Sequence, residues 1–339
     1  MAPGMEAAPH LSLVIPIFNE EDTIPELDRR LQEFLAQLNV SWEVVFVNDG
    51  SKDRSFAMLR DLAAREPRYK ILSFARNFGH QIAISAGLDI ADGDAVVVMD
   101  ADLQDPPEVV GEMLARFHEG YDVVYGVRTK RHGETIFKKI TAAVYYRILR
   151  RLLGFEVPLD AGDFRLMARK VVVALRSLRE RHRFVRGMVA WVGYKQTKVF
   201  YERPARFAGE TKYPLSKMLK FAIDGITSFS VVPVRIATYL SIVAGLIAVA
   251  IAVWSFSRTW VGAPTVPGWT TIMVLIALSS SAQLLVTGIL GEYVGRTYEE
   301  VKKRPLYTVS ERVNLAPGPD ASLPFEAPPE SLSRPDNRF

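Results

Sequence analysis

Acidic side chains at alternate positions follow a short apolar run near the middle of the first half of the chain. Asp100 and Asp102 flank Ala101, and the amide Gln104 follows two positions later. Carboxylate and amide oxygens can hold Mg²⁺ or Mn²⁺ while leaving coordination positions for phosphate oxygens and water. The pattern therefore indicates a divalent metal site that serves a phosphorylated ligand, although an isolated acidic pair also occurs as a simple helix cap.

Two further polar segments end apolar runs closer to the N-terminus. Residues 16–20 (PIFNE) follow one run and residues 48–51 (NDGS) follow the next. In an open parallel sheet, ligands bind outside the carboxyl ends of the strands. Both segments are therefore expected to face the same crevice as Asp102.

The elements that would position these residues alternate along the chain. Val- and Ile-rich runs with little polar alternation predict strands covered on both faces, and the amphipathic runs between them predict helices. This order predicts an α/β fold with a doubly wound, mainly parallel sheet. The predicted strands are 11–18, 42–48, 69–74, 95–99 and 122–125, and the predicted helices are 25–38, 54–65, 81–91 and 107–118. Asp105 is predicted to be the N-cap of the last of these helices.

The overall composition excludes several classes of protein. The 339 residues carry 42 Lys and Arg against 38 Asp and Glu, a net charge of +4, which is too small for a protein that coats nucleic acid. The chain has no cysteine, which excludes disulfides, thiolate metal sites and cysteine nucleophiles. Its five histidines are too scattered for a zinc-protease motif. Any bound metal should therefore have oxygen ligands.

The second half of the chain contains two long apolar segments. Residues 236–256 and 269–290 include no charged side chain, and about 21 helical residues cover about 31 Å, close to the hydrocarbon thickness of a bilayer. Buried core helices are the alternative, but the short connection 257–268 favours a transmembrane hairpin. Basic residues flank its outer ends, so the catalytic domain and both termini are predicted to be cytoplasmic, on a multi-pass protein of the cell (inner) membrane.

The remaining segments complete the predicted organisation. An amphipathic stripe before the hairpin indicates a helix in the membrane interface, with packing against the catalytic domain as the alternative. Basic and apolar residues also alternate within 138–153, where the charges are either solvated or attracted to anionic lipid. The predicted parts are a disordered N-terminus (1–10) without a signal peptide, an α/β domain (11–205), an acceptor loop with the interfacial helix (206–231), the hairpin (232–292), a cytoplasmic segment (293–313) and a Pro-rich disordered tail (314–339).

Together these features resemble the family 2 glycosyltransferases of the GT-A fold, over nearly the whole chain from Leu11 to Tyr307. Within that family the sequence is similar to the polyprenyl-phosphate glycosyltransferases, which include dolichyl-phosphate mannose synthases, bacterial undecaprenyl-phosphate glucosyltransferases and aminoarabinose-transferring enzymes. The motifs GITSFS (225–230) and LGEYVGR (290–296), together with the paired apolar segments, are most similar to those of the bacterial glucosyl branch. The motifs are RNFG (76–79), DADLQDP (100–106), GDFRLM (162–167), AGETKY (208–213), GITSFS (225–230) and LGEYVGR (290–296).

The resemblance implies a role for each matching residue. Asp102 and Gln104 match the ligands of a Mg²⁺ or Mn²⁺ cofactor that would neutralise charge on the leaving nucleoside diphosphate. Asp163 matches an active-site acid near the reacting sugar and the acceptor, with a helix cap as the alternative. The positions implied to hold the nucleotide sugar are Pro16, Phe18, Glu20, Asp49, Asp100 and Ala101.

Three basic residues are candidates for gathering the phosphate groups of donor and acceptor. Arg128 follows the last predicted strand, whereas Arg206 and Lys212 lie at and near the AGETKY motif. Guanidinium groups suit bidentate phosphate contacts, and Lys acts as a point charge. Because single basic residues on loops are usually just solvated, each is a weaker candidate than Asp102.

The activity implied by the resemblance is transfer of a single sugar, glucose from UDP-glucose, to polyprenyl (undecaprenyl) phosphate with inversion. A phosphomonoester is mostly dianionic at neutral pH, so Asp163 is expected to orient groups rather than remove a proton. The alternatives are a mannose or aminoarabinose transferase, a dolichol-type lipid, or a membrane scaffold that binds nucleotide sugar without turnover. No QxxRW motif follows Asp163, which disfavours polymerisation. The lipid bilayer is an expected partner, nucleic acid is not, and homo-oligomerisation is left open.

Overall fold

The computed structural model describes residues 10–129, 161–202 and 268–315, together with scattered positions between 234 and 260. Its strands are β1 (Leu11–Ile17), β2 (Trp42–Asn48), β3 (Tyr69–Phe74), β4 (Ala95–Val98), β5 (Val123–Arg128), β6 (Ala161–Ala168), β7 (Gln196–Tyr201) and β8 (Val309–Val313). Its helices with described bounds are α1 (Ile24–Leu35), α2 (Ser55–Arg65), α3 (His80–Ile90), α4 (Val109–His118), α5 (Arg169–Ser177), α6 (Val185–Trp191) and α7 (Trp269–Val301).

The described strands form one eight-stranded sheet in the order β7-β5-β6-β4-β1-β2-β3-β8. Pairing is parallel except at β6, which is antiparallel to both neighbours, and at β8, which is antiparallel to β3. The predicted α/β architecture with a mainly parallel sheet is therefore confirmed. Strands other than β6 and β8 run in one direction, so their carboxyl ends share one edge of the sheet, called here the C-edge.

Burial on both faces explains why the central strands are continuous apolar runs. All seven residues of β1 and all four of β4 are buried. On one face, α1 places Ile24, Leu27 and Leu31 in the core at helical spacing. On α3, a Cβ added to Gly87 would lie 2.2 Å from a methyl carbon of Val14, so only glycine allows this helix to approach the sheet so closely.

The start of α4 differs from the prediction. The helix begins at Val109, its N-cap position is Glu108, and no side chain caps it. The prediction that Asp105 is the N-cap is therefore wrong. The Asp105 carboxylate instead accepts a hydrogen bond from the hydroxyl of Tyr201, 96 residues away, at 2.7 Å.

Strands β6, β7 and β8 are absent from the predicted strands. The segment between α7 and β8 is anchored by Tyr307, whose ring stacks on Phe74 with centroids 4.9 Å apart. The Tyr307 hydroxyl also donates to Asp89 Oδ2 at 3.1 Å. These contacts bring the end of the described chain back to the edge of the sheet beside β3.

The chain divides into two compact units. The first contains the sheet and the helices α1 to α6, and the second contains α7 and the helical positions between 234 and 260. Within the described residues, no helix combines the length and apolarity needed to cross a membrane. The segments 138–153 and 206–231 lie outside the described residues, as do residues 1–9 of the predicted N-terminus, residues 316–339 of the predicted tail and ten of the 21 residues of 236–256.

A buried carboxylate at the amino ends of the strands gives a test of stability. Glu43 is 2% exposed and accepts hydrogen bonds from the Ser12 hydroxyl and the backbone N–H of Asp92, and it pairs with the ammonium group of Lys70. Glu43→Ala would leave these donors unpaired, so we expect the free energy of unfolding to fall by about 3–5 kcal/mol in urea denaturation. Glu33→Ala, which removes an exposed ion pair with Arg29, should cost less than about 1 kcal/mol. Equal losses in the two variants would contradict this account of Glu43.

Candidate functional site

The metal loop, residues 100–105, follows β4 at the C-edge. Leu103 adopts a left-handed backbone conformation with φ 60° and buries its side chain in the core. Asp102 Oδ1 accepts a hydrogen bond from the backbone N–H of Gln104 at 3.1 Å. The buried Leu103 and this hydrogen bond hold Asp102 and Gln104 on one tight turn.

The chemistry of this loop fits a hard divalent cation. Asp102 and Gln104 offer one carboxylate and one amide oxygen, a set that leaves most of an octahedral shell to phosphate and water. Beside them, Asp100 Oδ1 is buried without a hydrogen-bond partner. Over the described ranges, no group of three or more His, Asp or Glu side chains is arranged to hold a metal. The fit thus rests on the two oxygen donors of the loop.

The residues predicted for the nucleotide sugar occupy the neighbouring strand ends. Pro16 is buried within β1, and Phe18, just beyond its end, is 44% exposed at the C-edge. The Glu20 carboxylate accepts from the Thr23 hydroxyl at 2.7 Å. Ala101 is buried in the core at 4% exposure, so its side chain packs inward from the metal loop.

Asp49, at the end of β2, binds the adjoining loop of the RNFG motif. Its carboxylate accepts from the backbone N–H groups of Phe78 and Gly79 at 2.6 and 2.9 Å and from Asn77 Nδ2 at 2.9 Å. Burial raises the pKa of Asp49, although these hydrogen bonds oppose the shift. The next residue, Gly50, has φ 64°, and a Cβ there would lie 2.4 Å from the Arg76 carbonyl carbon. The motif is therefore explained by close packing of two loops at the C-edge.

Asp163 is the centre of a charged cluster at the C-edge. Strand β6 is antiparallel to β4 with Arg165 opposite Val98, so continuing the register by two residues brings Asp163 beside Asp100. Arg186 Nε and Nη2 donate to the two Asp163 oxygens at 2.8 and 3.0 Å. Gln81 Nε2 donates to Oδ2 at 3.2 Å. Asp163 lies within a strand, which excludes the alternative that it caps a helix.

His80 joins the two aspartates of this cluster. Its Nε2 lies 3.4 Å from Asp163 Oδ2 and 3.5 Å from Asp100 Oδ1. Burial opposes charge on His80, but the hydrogen bond with Asp163 and the charge of Asp100 outweigh burial and raise its pKa to about 9. Burial likewise opposes charge on Asp163, yet Arg186 and His80 hold its pKa well below the ordinary value. Asp163 is therefore a fixed anion between two cations.

The raised pKa of His80 predicts how stability depends on pH. The stabilisation that His80 gains from Asp163 and Asp100 is fully present below about pH 6.5 and is lost as the pH rises through about 9. Between pH 6.5 and 9.5, we expect the wild-type free energy of unfolding to fall by about 1 kcal/mol more than that of His80→Gln, since solvent screens this 40% exposed side chain. Denaturation at both pH values measures the difference. Identical pH dependence in the two proteins would contradict the assignment.

The predicted phosphate-binding residues are described only in part. Arg128 ends β5, and its Nε lies 3.4 Å from the hydroxyl of Tyr201. Tyr201 in turn donates to Asp105, which is 1% exposed. Burial and the nearby charge of Asp100 raise the pKa of Asp105 to about 7. Arg206 and Lys212 lie outside the described residues.

Several residues of this site are missing from the sequence-based set. His80 and Gln81 directly follow the RNFG motif, and that adjacency is a signal that could have found them. Arg186 is the second residue of the short helix α6, in a segment without a motif, so only the fold reveals its contact with Asp163. Arg165 is buried two residues after Asp163 and donates to the Gly162 carbonyl at 2.7 Å.

Comparisons with known proteins extend over nearly the whole chain. Residues 12–176 match the family described as glycosyl transferase family 2. An uncharacterized glycosyltransferase of Bacillus subtilis, YkcC, is 52% identical over 90% of this chain and 94% of its own length. The prophage bactoprenol glucosyl transferase homolog of Escherichia coli is 40% identical over 88% of this chain and 98% of its own length.

Among solved structures, glucosyl-3-phosphoglycerate synthase from Mycobacterium tuberculosis is similar with a TM-score of 0.46 and 18% identity, over 65% of this chain and 78% of that one. The mixed α/β sheet, the acidic loop at its C-edge and the extent of the sequence matches agree with one another. This chain belongs to glycosyl transferase family 2, with a GT-A-like sheet, and is a glycosyltransferase.

Proposed function

We propose that the protein transfers one glucose from UDP-glucose to polyprenyl phosphate, undecaprenyl phosphate in particular, with inversion at the anomeric carbon. The observation that carries the proposal is the similarity to proteins named bactoprenol glucosyl transferase, at 39–40% identity over 97–99% of their length. The family match ends at residue 176. The 299 aligned residues of the Escherichia coli homolog must therefore include much of the chain beyond it.

On the donor side, the proposal places UDP along the ends of β1 and β2. The exposed ring of Phe18 offers a surface for the base and Glu20 offers a carboxylate near the ribose, whereas buried Asp49 would act on the ribose through the RNFG loop that it holds. Asp102 and Gln104 would hold Mg²⁺ or Mn²⁺ against the diphosphate. When bound, that ion would neutralise the charge that develops on the leaving UDP.

On the acceptor side, the reaction needs orientation more than it needs a base. A phosphate oxygen of the acceptor forms a bond to the anomeric carbon as the bond from that carbon to the β-phosphate oxygen breaks, and UDP leaves with the electron pair. The acceptor phosphate is largely dianionic at neutral pH, so no proton must be removed from it. Asp163, held ionised by Arg186 and His80, is a weak base and instead fixes a sugar hydroxyl and the two cations around it. Arg128, Arg206 and Lys212 would bring the acceptor phosphate to the donor.

A competition between donors tests the identity of the sugar. Purified full-length protein would be given undecaprenyl phosphate, Mn²⁺ and equimolar UDP-glucose, GDP-mannose and UDP-aminoarabinose, and the lipid products would be resolved by mass. The proposal predicts that the hexose product derives from UDP-glucose, as shown by isotopic label in that donor alone. An unlabelled hexose product, which would derive from GDP-mannose, or a pentosamine product would replace glucose by the other sugar while retaining the transfer reaction.

We further propose that residues 232–292 anchor the protein in the cell membrane as a helical hairpin, with the catalytic unit on the cytoplasmic side. Two uncharged segments support this proposal. Apolar side chains along both are solvent-exposed, among them Leu246 (65%), Leu278 (61%) and Leu284 (73%), and such surfaces usually contact lipid or protein.

Alkaline carbonate extraction of membranes tests the anchor. We expect the wild type to remain in the membrane fraction and the double variant Leu246→Arg/Leu278→Arg to be released, because each Arg at a helix centre opposes insertion by about 2.5–3.5 kcal/mol. Val173→Arg, which changes an exposed apolar residue of α5, is the matched control and should behave as wild type. Extraction of the wild type itself would refute the anchor.

A further inference from the structure

We propose that Tyr201 is a positioning residue for the metal loop, acting through its hydrogen bond to Asp105. The proposal rests on the proposed function, since it assumes that the loop binds a metal and a nucleotide diphosphate. It assigns a role in that binding to the last residue of the edge strand β7. Tyr201 is more than ninety residues beyond the loop in sequence.

The ring of Tyr201 is fixed by packing. It is 5% exposed and meets Phe164 edge to face with centroids 5.4 Å apart. On the neighbouring strand β5, a Cβ added to Gly126 would lie 2.8 Å from the Tyr201 ring, so the absence of a side chain there makes room for it. A ring confined in this way can direct its hydroxyl to a single place.

The Tyr201 hydroxyl is directed at the carboxylate of Asp105, at the end of the metal loop. Tyr201 donates to Asp105 Oδ1 at 2.7 Å, and Asp105 Oδ2 faces the backbone N–H of Asp100 at 3.4 Å. Asp105 therefore connects the two ends of the loop that carries Asp102 and Gln104. Its short hydrogen bond is the one to Tyr201, whereas the contact to Asp100 is long and weak.

The packing contacts of Tyr201 with Phe164 and Gly126 are made by its ring and do not involve its hydroxyl group. A phenylalanine would keep the contacts with Phe164 and Gly126 but would leave the buried Asp105 carboxylate with its long backbone contact. A buried carboxylate without a good donor reorients towards another partner. The ends of the loop would then no longer be held together, and its two metal donors would lose their fixed spacing.

The same hydroxyl also connects the loop to the acceptor side of the proposed reaction. Arg128 Nε approaches it at 3.4 Å from the end of β5. Strand β7 ends at Tyr201, five residues before the predicted phosphate ligand Arg206. Tyr201 therefore lies between the metal loop and the end of β5, which carries Arg128, and it ends β7, the strand that precedes Arg206 in the sequence.

The chain offers a matched control for the Tyr201→Phe variant. Tyr69 begins β3, which lies beside the edge strand β8 at the other end of the strand order from β7. It is buried and donates to Asp28 Oδ1 at 2.9 Å. Tyr69→Phe removes a Tyr–Asp hydrogen bond of the same kind, far along the sheet from the metal loop. The two variants separate an effect on metal and nucleotide binding from a general loss of stability.

Calorimetric titration of UDP into full-length protein at a series of Mn²⁺ concentrations tests the proposal without any acceptor. We expect Tyr201→Phe to raise the Mn²⁺ concentration for half-maximal UDP binding about tenfold, the loss typical of a hydrogen bond to a charged group. Tyr69→Phe should leave that concentration unchanged, although it too removes a hydrogen bond between a buried Tyr and an Asp.

Two results would overturn the inference. One is a Tyr201→Phe protein that binds Mn²⁺ and UDP as the wild type does, which would make Tyr201 a packing residue. The other is a wild type without Mn²⁺-dependent UDP binding, which would also overturn the donor half of the proposed function. Weakened binding in Tyr201→Phe together with no transfer to lipid by the wild type would uphold the inference and refute only the proposed acceptor.

Discussion

Replacing Asp102 with Asn is expected to lower sugar transfer about a thousandfold, since metal stabilisation of the leaving group is worth several kcal/mol and each 1.36 kcal/mol is tenfold in rate. The substitution is nearly isosteric. Asn can still accept the hydrogen bond that Gln104 N–H now donates to Asp102 Oδ1, so the turn should keep its shape. What is lost is the negative charge that would bind the cation.

The measurement is kcat/KM at saturating Mn²⁺, with the unfolding temperature as the check on folding. Asp94→Asn is the control, because Asp94 precedes the same strand β4 at its other end and its side chain is 59% exposed. We expect Asp94→Asn to retain nearly full activity. More than a tenth of wild-type activity in Asp102→Asn would contradict the metal assignment. The same variant decides against a scaffold without turnover, in which Asp102 would have no transfer to support.

Asp163→Asn is expected to lower kcat about a hundredfold, the loss that follows from misplacing reacting groups by about 1 Å. The amide would no longer bind Arg186 and His80 as a charged partner, so both cations would move from the place where the two phosphorylated substrates meet. Because the pKa of Asp163 is held well below its ordinary range, no titration of Asp163 should change the size of this loss between pH 6 and 8.

The pH profile distinguishes orientation from general base catalysis. The fall in kcat below about pH 6, which comes from protonation of the acceptor phosphate, should also be measured in Asp163→Asn. A further fall in kcat on the acid side of the wild-type profile, absent from the variant, would show that Asp163 takes up the proton and would contradict the account. If Asp163→Asn fails to fold, the pH profile can be measured on Asp163→Glu, which keeps the buried charge. Asp122→Asn, which removes the ion pair with Lys170 at 2.7 Å, is the control for loss of a carboxylate elsewhere on the sheet.

The central sheet is predictable from the sequence because its strands are buried on both faces. The runs that became β1 to β4 are mainly apolar, and their order along the chain implies parallel pairing. Strand β6 is not predictable in the same way, because GDFRLM places Asp163 and Arg165 in its interior. Those charges are tolerated in a strand since Arg186, His80 and the Gly162 carbonyl satisfy them, and these contacts depend on the fold.

The candidate site, like the sheet, is only partly predictable from the sequence. The metal loop and the polar ends of β1 and β2 are visible as local motifs, because each follows an apolar run directly. The local Asp-Pro-Pro-Glu pattern wrongly predicts that Asp105 is a helix cap, because it carries no information about Tyr201, whose hydroxyl donates to Asp105 from a distant strand. The partners of Asp163 are also separated from it in sequence, by 23 residues for Arg186 and by 83 for His80. Pairwise contacts between remote segments are the part that only the structure supplies.

The central claim is that this site joins a sugar to a lipid phosphate. The most direct test incubates purified full-length protein with undecaprenyl phosphate, Mn²⁺ and labelled UDP-glucose, and then analyses the organic phase by mass spectrometry. The account predicts undecaprenyl phosphate carrying a single hexose with inverted anomeric configuration, and no such product from Asp102→Asn. Absence of any lipid-linked sugar from the wild type, while UDP binds normally in the presence of Mn²⁺, would contradict it.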